Sequence, residues 1–229
     1  MIINGLNKLT LLDYPNRTAC TVFLAGCNFR CPFCHNAGLV LNAEDCEKIQ
    51  EEEFFAFLKK RRGILDGVCI TGGEPTLRAD LPEFIGKIKD MGYLVKLDTN
   101  GTNPKMLKRL VDEKKVDYVA MDIKNSLENY SKCVGIENYN TDSIVESISI
   151  LKNGEVDYEF RTTVDAERIT EEDILKIAEL LKGDSKYYLQ QFKNSGDIIL
   201  SGKEYGKGEM CSLKEKILPL LPNAEVRGI

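Results

Sequence analysis

An α/β fold with parallel strands is what this sequence predicts, on three observations. Short apolar runs alternate with amphipathic segments between residues 20 and 192. The links between them are short, which returns each strand parallel to the last through a right-handed crossover. The count is six strand–helix units, two short of the eight that close a full barrel. A chain of 229 residues can bury a sizeable core as a single domain over 1–229, and no linker or low-complexity stretch divides it.

The strands are expected at 20–25, 67–71, 93–98, 116–123, 156–164 and 187–192, each rich in apolar residues. Helices are expected at 51–62, 81–91, 105–113, 142–152 and 171–182. The first opens on Glu51, Glu52 and Glu53 and closes on Lys59-Lys60-Arg61-Arg62, so both ends complement the helix dipole. In the fourth, Ile144, Val145, Ile148 and Leu151 fall on one face. Residues 1–18 read as an N-terminal extension, and 224–229 as a further edge strand. The segment 193–210 holds Gly196, Gly202, Gly206 and Gly208. A connection of that length is usually functional or disordered, so it is expected to be mobile at the mouth of the site.

The charge balance, 31 basic against 36 acidic residues, gives −5 and excludes the basic stripe that a nucleic-acid partner requires. No apolar stretch approaches the ~20 residues that span a bilayer, and MIINGLNKL has no signal-peptide pattern. The expectation is a soluble, cytoplasmic chain with no membrane partner.

The densest signal is Cys27-x3-Cys31-x2-Cys34, which follows the apolar run Thr21-Val22-Phe23-Leu24-Ala25 and Gly26. Three thiolates on a loop at a strand's carboxyl end can hold three corners of a [4Fe–4S] cube and leave one iron open to a small chelating molecule. A zinc site made by these cysteines with His35 is the competing reading, although adjacent Cys34 and His35 are awkward partners for one ion. The other cysteines, Cys20, Cys46, Cys69, Cys133 and Cys211, are scattered singly.

This spacing, within LAGCNFRCPFCHN, resembles that of the radical S-adenosylmethionine (SAM) enzymes. The wider segment LLDYPNRTACTVFLAGCNFRCPFCHN, from Leu11 to Asn36, is similar to the activating enzymes of glycyl-radical proteins, above all those of the anaerobic ribonucleoside-triphosphate reductase. The resemblance implies an incomplete (βα)6 barrel with its site at the carboxyl ends of the strands. It also implies the chemistry: an electron enters the SAM sulfonium, methionine leaves, and a 5′-deoxyadenosyl radical takes a glycine Cα hydrogen from a larger partner. The cofactors implied are the cluster and SAM. The partners are a glycyl-radical enzyme and a low-potential electron donor such as flavodoxin or ferredoxin.

The same resemblance places the cofactor residues. Thr71-Gly72-Gly73-Glu74-Pro75 looks like the family's GGEP segment, with Gly72, Gly73 and Glu74 near the SAM amino group. Asp98 and Thr99, Asp122 and Lys124, and Arg161 are similar to segments that line the SAM pocket. Arg161 and Lys124 can pair with the methionyl carboxylate or the ribose region. Two aspartates beside a third carboxylate repel, so a proton, Lys124 or a bound monovalent cation must offset them. Phe33 is placed near adenine, and His35 as support for the cluster. In Leu189-Gln190-Gln191-Phe192 the pattern leaves open which glutamine points inward; Gln191 is the one assigned. The segment Asp13-Tyr14-Pro15-Asn16 departs from the family's usual Asp-Gly-Pro-Gly, and Asn16 must take the left-handed turn. Two other functions stay open: the same chemistry on another glycyl-radical enzyme or on a small molecule such as a deazapurine precursor, and a non-catalytic zinc-binding module.

Overall fold

The computed structural model describes residues 1–194 and 196–229. The chain opens with β1 (Ile2–Ile3) and β2 (Gly5–Thr10), then β3 (Ala19–Leu24), α1 (Ala37–Leu41) and β4 (Ile49–Gln50). The repeating units follow as α2 (Glu51–Lys60), β5 (Gly67–Gly72), α3 (Leu81–Asp90), β6 (Leu94–Thr99), α4 (Pro104–Asp112) and β7 (Tyr118–Asp122). After β7 come the short α5 (Ser131–Val134), then α6 (Asp142–Asn153), β8 (Asp157–Val164), α7 (Glu171–Leu181) and β9 (Tyr187–Gln191). The last elements are α8 (Lys207–Ile217) and β10 (Ala224–Arg227).

All six expected strands and all five expected helices form. Strands pair in the order β10-β9-β8-β7-β6-β5-β3-β2, parallel throughout except for the antiparallel β2–β3 pair. Among the described residues β10 and β2 do not pair with each other, so the barrel is open along one side. The tail strand at 224–227 adds a seventh parallel strand beside β9. Residues 1–18 are more than an extension, because they supply the β2 edge and the small β1–β4 sheet.

One face of the sheet packs Val22, Ile70, Leu97, Met121, Phe160 and Leu189 against helix residues such as Phe84, Leu107, Ile148 and Ile177. Val145, expected on the same face as Ile148, is 41% exposed instead. The opposite face lines the barrel interior. At its lower end Tyr14 is buried with Ala19, Cys69 and Tyr118, and Asp13 accepts a hydrogen bond from the Thr21 hydroxyl at 2.5 Å. Asn16 has φ +58°, the left-handed turn expected of it.

The segment 193–210 runs into a helix. Its last four residues belong to α8, and Ser195 lies outside the described residues. Ahead of α8 the segment meets the cysteine loop, α1 and the turn after β8. Leu200 N–H donates to the Pro32 carbonyl at 2.8 Å, and the Asp197 carboxylate accepts from Gly38 N–H at 2.6 Å.

The junction of β3 with β5 leaves no space for a side chain. Gly73 N–H donates to the Leu24 carbonyl at 2.8 Å, and Glu74 N–H to the Gly26 carbonyl at 2.8 Å. A Cβ on Gly72 would overlap the Leu24 backbone, and one on Gly73 the Gly26 backbone. The two glycines therefore let the cysteine loop lie against the end of β5. Gly73→Ala is expected to cost roughly 1–3 kcal/mol, the usual range for overpacking a tight contact. Urea unfolding checks it, alongside the iron content after anaerobic cluster loading, which should fall with it.

Candidate cluster and cofactor site

A cavity of about 230 Å³ opens at the carboxyl ends of the strands. Cys27, Cys31, Phe33 and Cys34 line it on one side; Gly72, Gly73, Glu74, Asp98, Thr99, Asp122, Lys124 and Arg161 line the rest. The parallel sheet thus gathers every assigned residue except Gln191. A larger cavity, about 860 Å³, lies around Tyr14, Arg17, Asp117 and Lys186 at the strands' amino ends. It contains no cysteine, and chemistry in parallel α/β barrels sits at the other end, so residue content decides over size.

Gln191 needs correcting. Side chains alternate along β9, and Gln191 falls on the same side as the buried Tyr187 and Leu189. Its amide donates to the Phe192 carbonyl, and its oxygen has no partner among the described residues. Gln190 is the glutamine in the cavity wall.

Glu74 also differs in detail. Its carboxylate accepts from Thr76 N–H (3.0 Å), Thr76 hydroxyl (2.5 Å), Thr99 hydroxyl (2.8 Å) and Asn100 N–H (2.6 Å). Burial pushes its pKa up, against those four donors. With its lone pairs so engaged, Glu74 ties β5 to β6 and shapes the wall. The Gly72 carbonyl accepts from Asn36 at 3.1 Å.

The aspartates are met by side chains. Arg161 donates to Asp122 from Nε at 2.8 Å and to Asp98 from Nη1 at 3.4 Å. Lys124 holds Asp122 at 3.0 Å, and Lys96, 2% exposed, is ion-paired to Asp98. Three cations against two carboxylates leave the cluster of charges at +1, so charge balance needs no monovalent ion. Burial penalises both carboxylates, yet Arg161 with Lys96 or Lys124 holds their pKa values below the usual aspartate range. Burial likewise opposes the Lys124 charge, and Asp122 outweighs it, raising that pKa.

Cys27, Cys31 and Cys34 lie together on one wall of the cavity. A tetrahedral zinc with Zn–S near 2.3 Å brings its sulfurs to about 3.8 Å of each other. Among the described residues no three His, Cys, Asp or Glu side chains converge closely enough to hold a single metal ion. His35, the fourth ligand of the zinc reading, meets the Lys193 carbonyl through Nε2 at 2.9 Å and packs on Phe192. A four-iron cube accepts wider spacing, since each thiolate meets its own iron. Burial pushes Cys27 up and Cys31 to about 12, and coordination to a metal deprotonates such thiols outright.

The model of the Radical SAM superfamily matches residues 21–181. The chain belongs to that superfamily. A Methanocaldococcus jannaschii protein, provisionally named a glycyl-radical enzyme activating enzyme, is 35% identical over 199 residues, 84% of this chain and 80% of its own. A Saccharolobus islandicus protein, provisionally named a GTP 3′,8-cyclase, is 31% identical over 158 residues, 67% of this chain and 49% of its own. A radical SAM methyltransferase from Sphaerobacter thermophilus shares the fold, with TM-score 0.75 and 16% identity over 96% of this chain and 68% of that one. The chain is therefore a radical SAM enzyme homologous to glycyl-radical enzyme activating enzymes, and its cofactors are a [4Fe–4S] cluster and SAM.

Asn100, Thr163 and Gln190 line the cavity without having been assigned from the sequence. Lys96 and Asn28 do not line it, and reach it through Asp98 and Asn100. Lys96 and Asp98 share one face of β6 by simple alternation, a signal present in Lys96-Leu97-Asp98.

The charge cluster yields a prediction about pH. Because the folded aspartate pKa values are depressed, their stabilisation is complete above the unfolded value near 4 and is lost as pH falls through the lower folded values. Between pH 5 and 9 it should be flat. Asp122→Asn leaves three cations facing one carboxylate, and should cost about 1–3 kcal/mol, less than the loss for a fully buried pair. Urea unfolding from pH 2 to 8 checks both: wild type should lose more stability below pH 4 than the variant. Replacing potassium by sodium should leave SAM cleavage unchanged.

Proposed function

We propose that this enzyme activates the anaerobic (class III) ribonucleoside-triphosphate reductase by removing the Cα hydrogen of one glycine, with flavodoxin or ferredoxin as electron donor. The observation that carries this reading is one cavity with three thiols on one wall and a fixed layer of cations on the other. When bound, the cluster and SAM supply one-electron cleavage and a 5′-deoxyadenosyl radical. The chain's part is to bind, orient and exclude water.

Cys27, Cys31 and Cys34 hold the cluster. Arg161 carries five N–H donors, and those not directed at Asp98 and Asp122 can receive the methionyl carboxylate or ribose. Lys124 has further donors beyond the one on Asp122. Asp98 and Asp122 keep both cations charged and fixed in direction. Phe33, 3% exposed, offers an apolar face for adenine, and Gln190 stands at the end of the sixth parallel strand. Hydrogen-atom transfer requires no acid–base pair, so the charged groups of the wall serve to bind and orient.

The activating-enzyme relative supports a glycyl-radical enzyme as partner, and the resemblance of the segment from Leu11 to Asn36 favours the reductase among them. The alternative, a small-molecule substrate such as a deazapurine precursor, draws on the cyclase relative. The chain spans about half of that relative's length.

Anaerobic protein with reductant, SAM and the reductase should give a glycyl-radical EPR doublet, with about one 5′-deoxyadenosine per radical. Cys31→Ala should abolish both. Replacing Cys46 and Cys211, which lie outside the cavity, should leave both. Cleavage of SAM that is unaffected by the reductase but coupled to consumption of a purine nucleotide would point to the small-molecule reading instead.

A further inference from the structure

We propose that Asn100 raises the reduction potential of the cluster by aiming a side-chain N–H at the sulfur of Cys27. The inference rests on Cys27 being a cluster ligand. It does not depend on the identity of the partner.

Asn100 follows β6 and is 5% exposed. Its orientation is fixed from three sides. The backbone N–H is on Glu74 at 2.6 Å, and Oδ1 accepts from Thr102 N–H at 3.0 Å and from the Thr102 hydroxyl at 2.7 Å. The side-chain nitrogen donates to Asn28 Oδ1 at 3.0 Å and faces Cys27 Sγ at 3.8 Å. Asn28 closes the ring by donating from its own amide to Thr102 Oγ1 at 2.9 Å. A flipped Asn100 amide would set its NH2 against the Thr102 N–H and its oxygen against Asn28 Oδ1. The hydrogen-bond pattern therefore selects one orientation.

Cys27 also receives the Phe29 N–H at 3.4 Å. Among the described residues, no hydrogen bond reaches the sulfur of Cys31 or Cys34 in the same way. Donors are thus concentrated on one corner. Hydrogen bonds to cluster sulfurs help set the potential, and the reduced cluster carries one more negative charge. A donor stabilises that state more than the oxidised one, and a charged acceptor strengthens the bond. Asn100 therefore eases reduction by the external donor. The long distance makes it a fine adjustment rather than a main determinant.

The test is an EPR-monitored redox titration of the cluster-loaded protein, with iron content and unfolding midpoint measured on the same samples. Asn100→Leu keeps similar volume and removes both amide donors. At full iron content its midpoint potential should be more negative than wild type. An unchanged or more positive potential at full iron content overturns the proposal. If that variant loads iron poorly, Thr102→Val keeps Asn100 and the backbone N–H on its Oδ1 but removes the hydroxyl that helps orient its amide, and a smaller negative shift is expected. No shift there overturns the proposal as well. A purely structural role would move iron content or unfolding while leaving the potential alone. Failure of cluster ligation itself would show separately, as wild-type protein without iron or an EPR signal.

Discussion

The backbone contact between the end of β3 and the end of β5 is the constraint on which the site depends. Gly72 and Gly73 have no Cβ, so the Leu24 and Gly26 carbonyls can accept from the next strand's N–H groups. That contact fixes where the chain leaves β3, and so where Cys27, Cys31 and Cys34 lie relative to β6, β7 and β8. Glu74 extends the same tie to Thr99 and Asn100, which supply two of the four hydrogen bonds it accepts. A dyad of glycines is thus an architectural requirement before it is a ligand contact.

The second constraint is electrostatic. A barrel interior excludes most water, so an unpaired charge there is costly. The chain answers with alternating signs: Lys96, Asp98, Arg161, Asp122 and Lys124 in one connected set. Lower in the interior Glu159 is held by a two-point Arg227 fork and by the Tyr118 hydroxyl. Arg227 comes from β10, so the last strand closes a polar pairing as well as an edge. The net positive charge at the upper layer suits a carboxylate-bearing ligand.

Much of this was legible in the sequence. Six strands and five helices follow from periodicity because each unit buries one apolar face, and the closely spaced cysteines line the cavity at the strand ends. Legibility ended where the deciding fact is spatial. Lys96 reads as a strand lysine until the barrel places it against Asp98. Two adjacent glutamines look alike in the sequence, yet alternation from Tyr187 and Leu189 turns Gln191 away from the interior and Gln190 into it. Strand β2 was missed because its exposed Lys8 and Leu9 give no clean alternation, its register slipping between Asn7 and Thr10. Helix α8 was hidden by the glycines at its start, Gly206 and Gly208, where a capping Glu209 compensates.

On the proposed function, this cavity presents SAM to the open iron of a cluster held by Cys27, Cys31 and Cys34. Electron–nuclear double resonance on the reduced, cluster-loaded protein tests it most directly, using SAM labelled with ¹⁵N in the amino group and ¹⁷O in the carboxylate. Hyperfine coupling from both labels to the cluster is the expected result. A normal cluster signal with no coupling to either label would contradict the account.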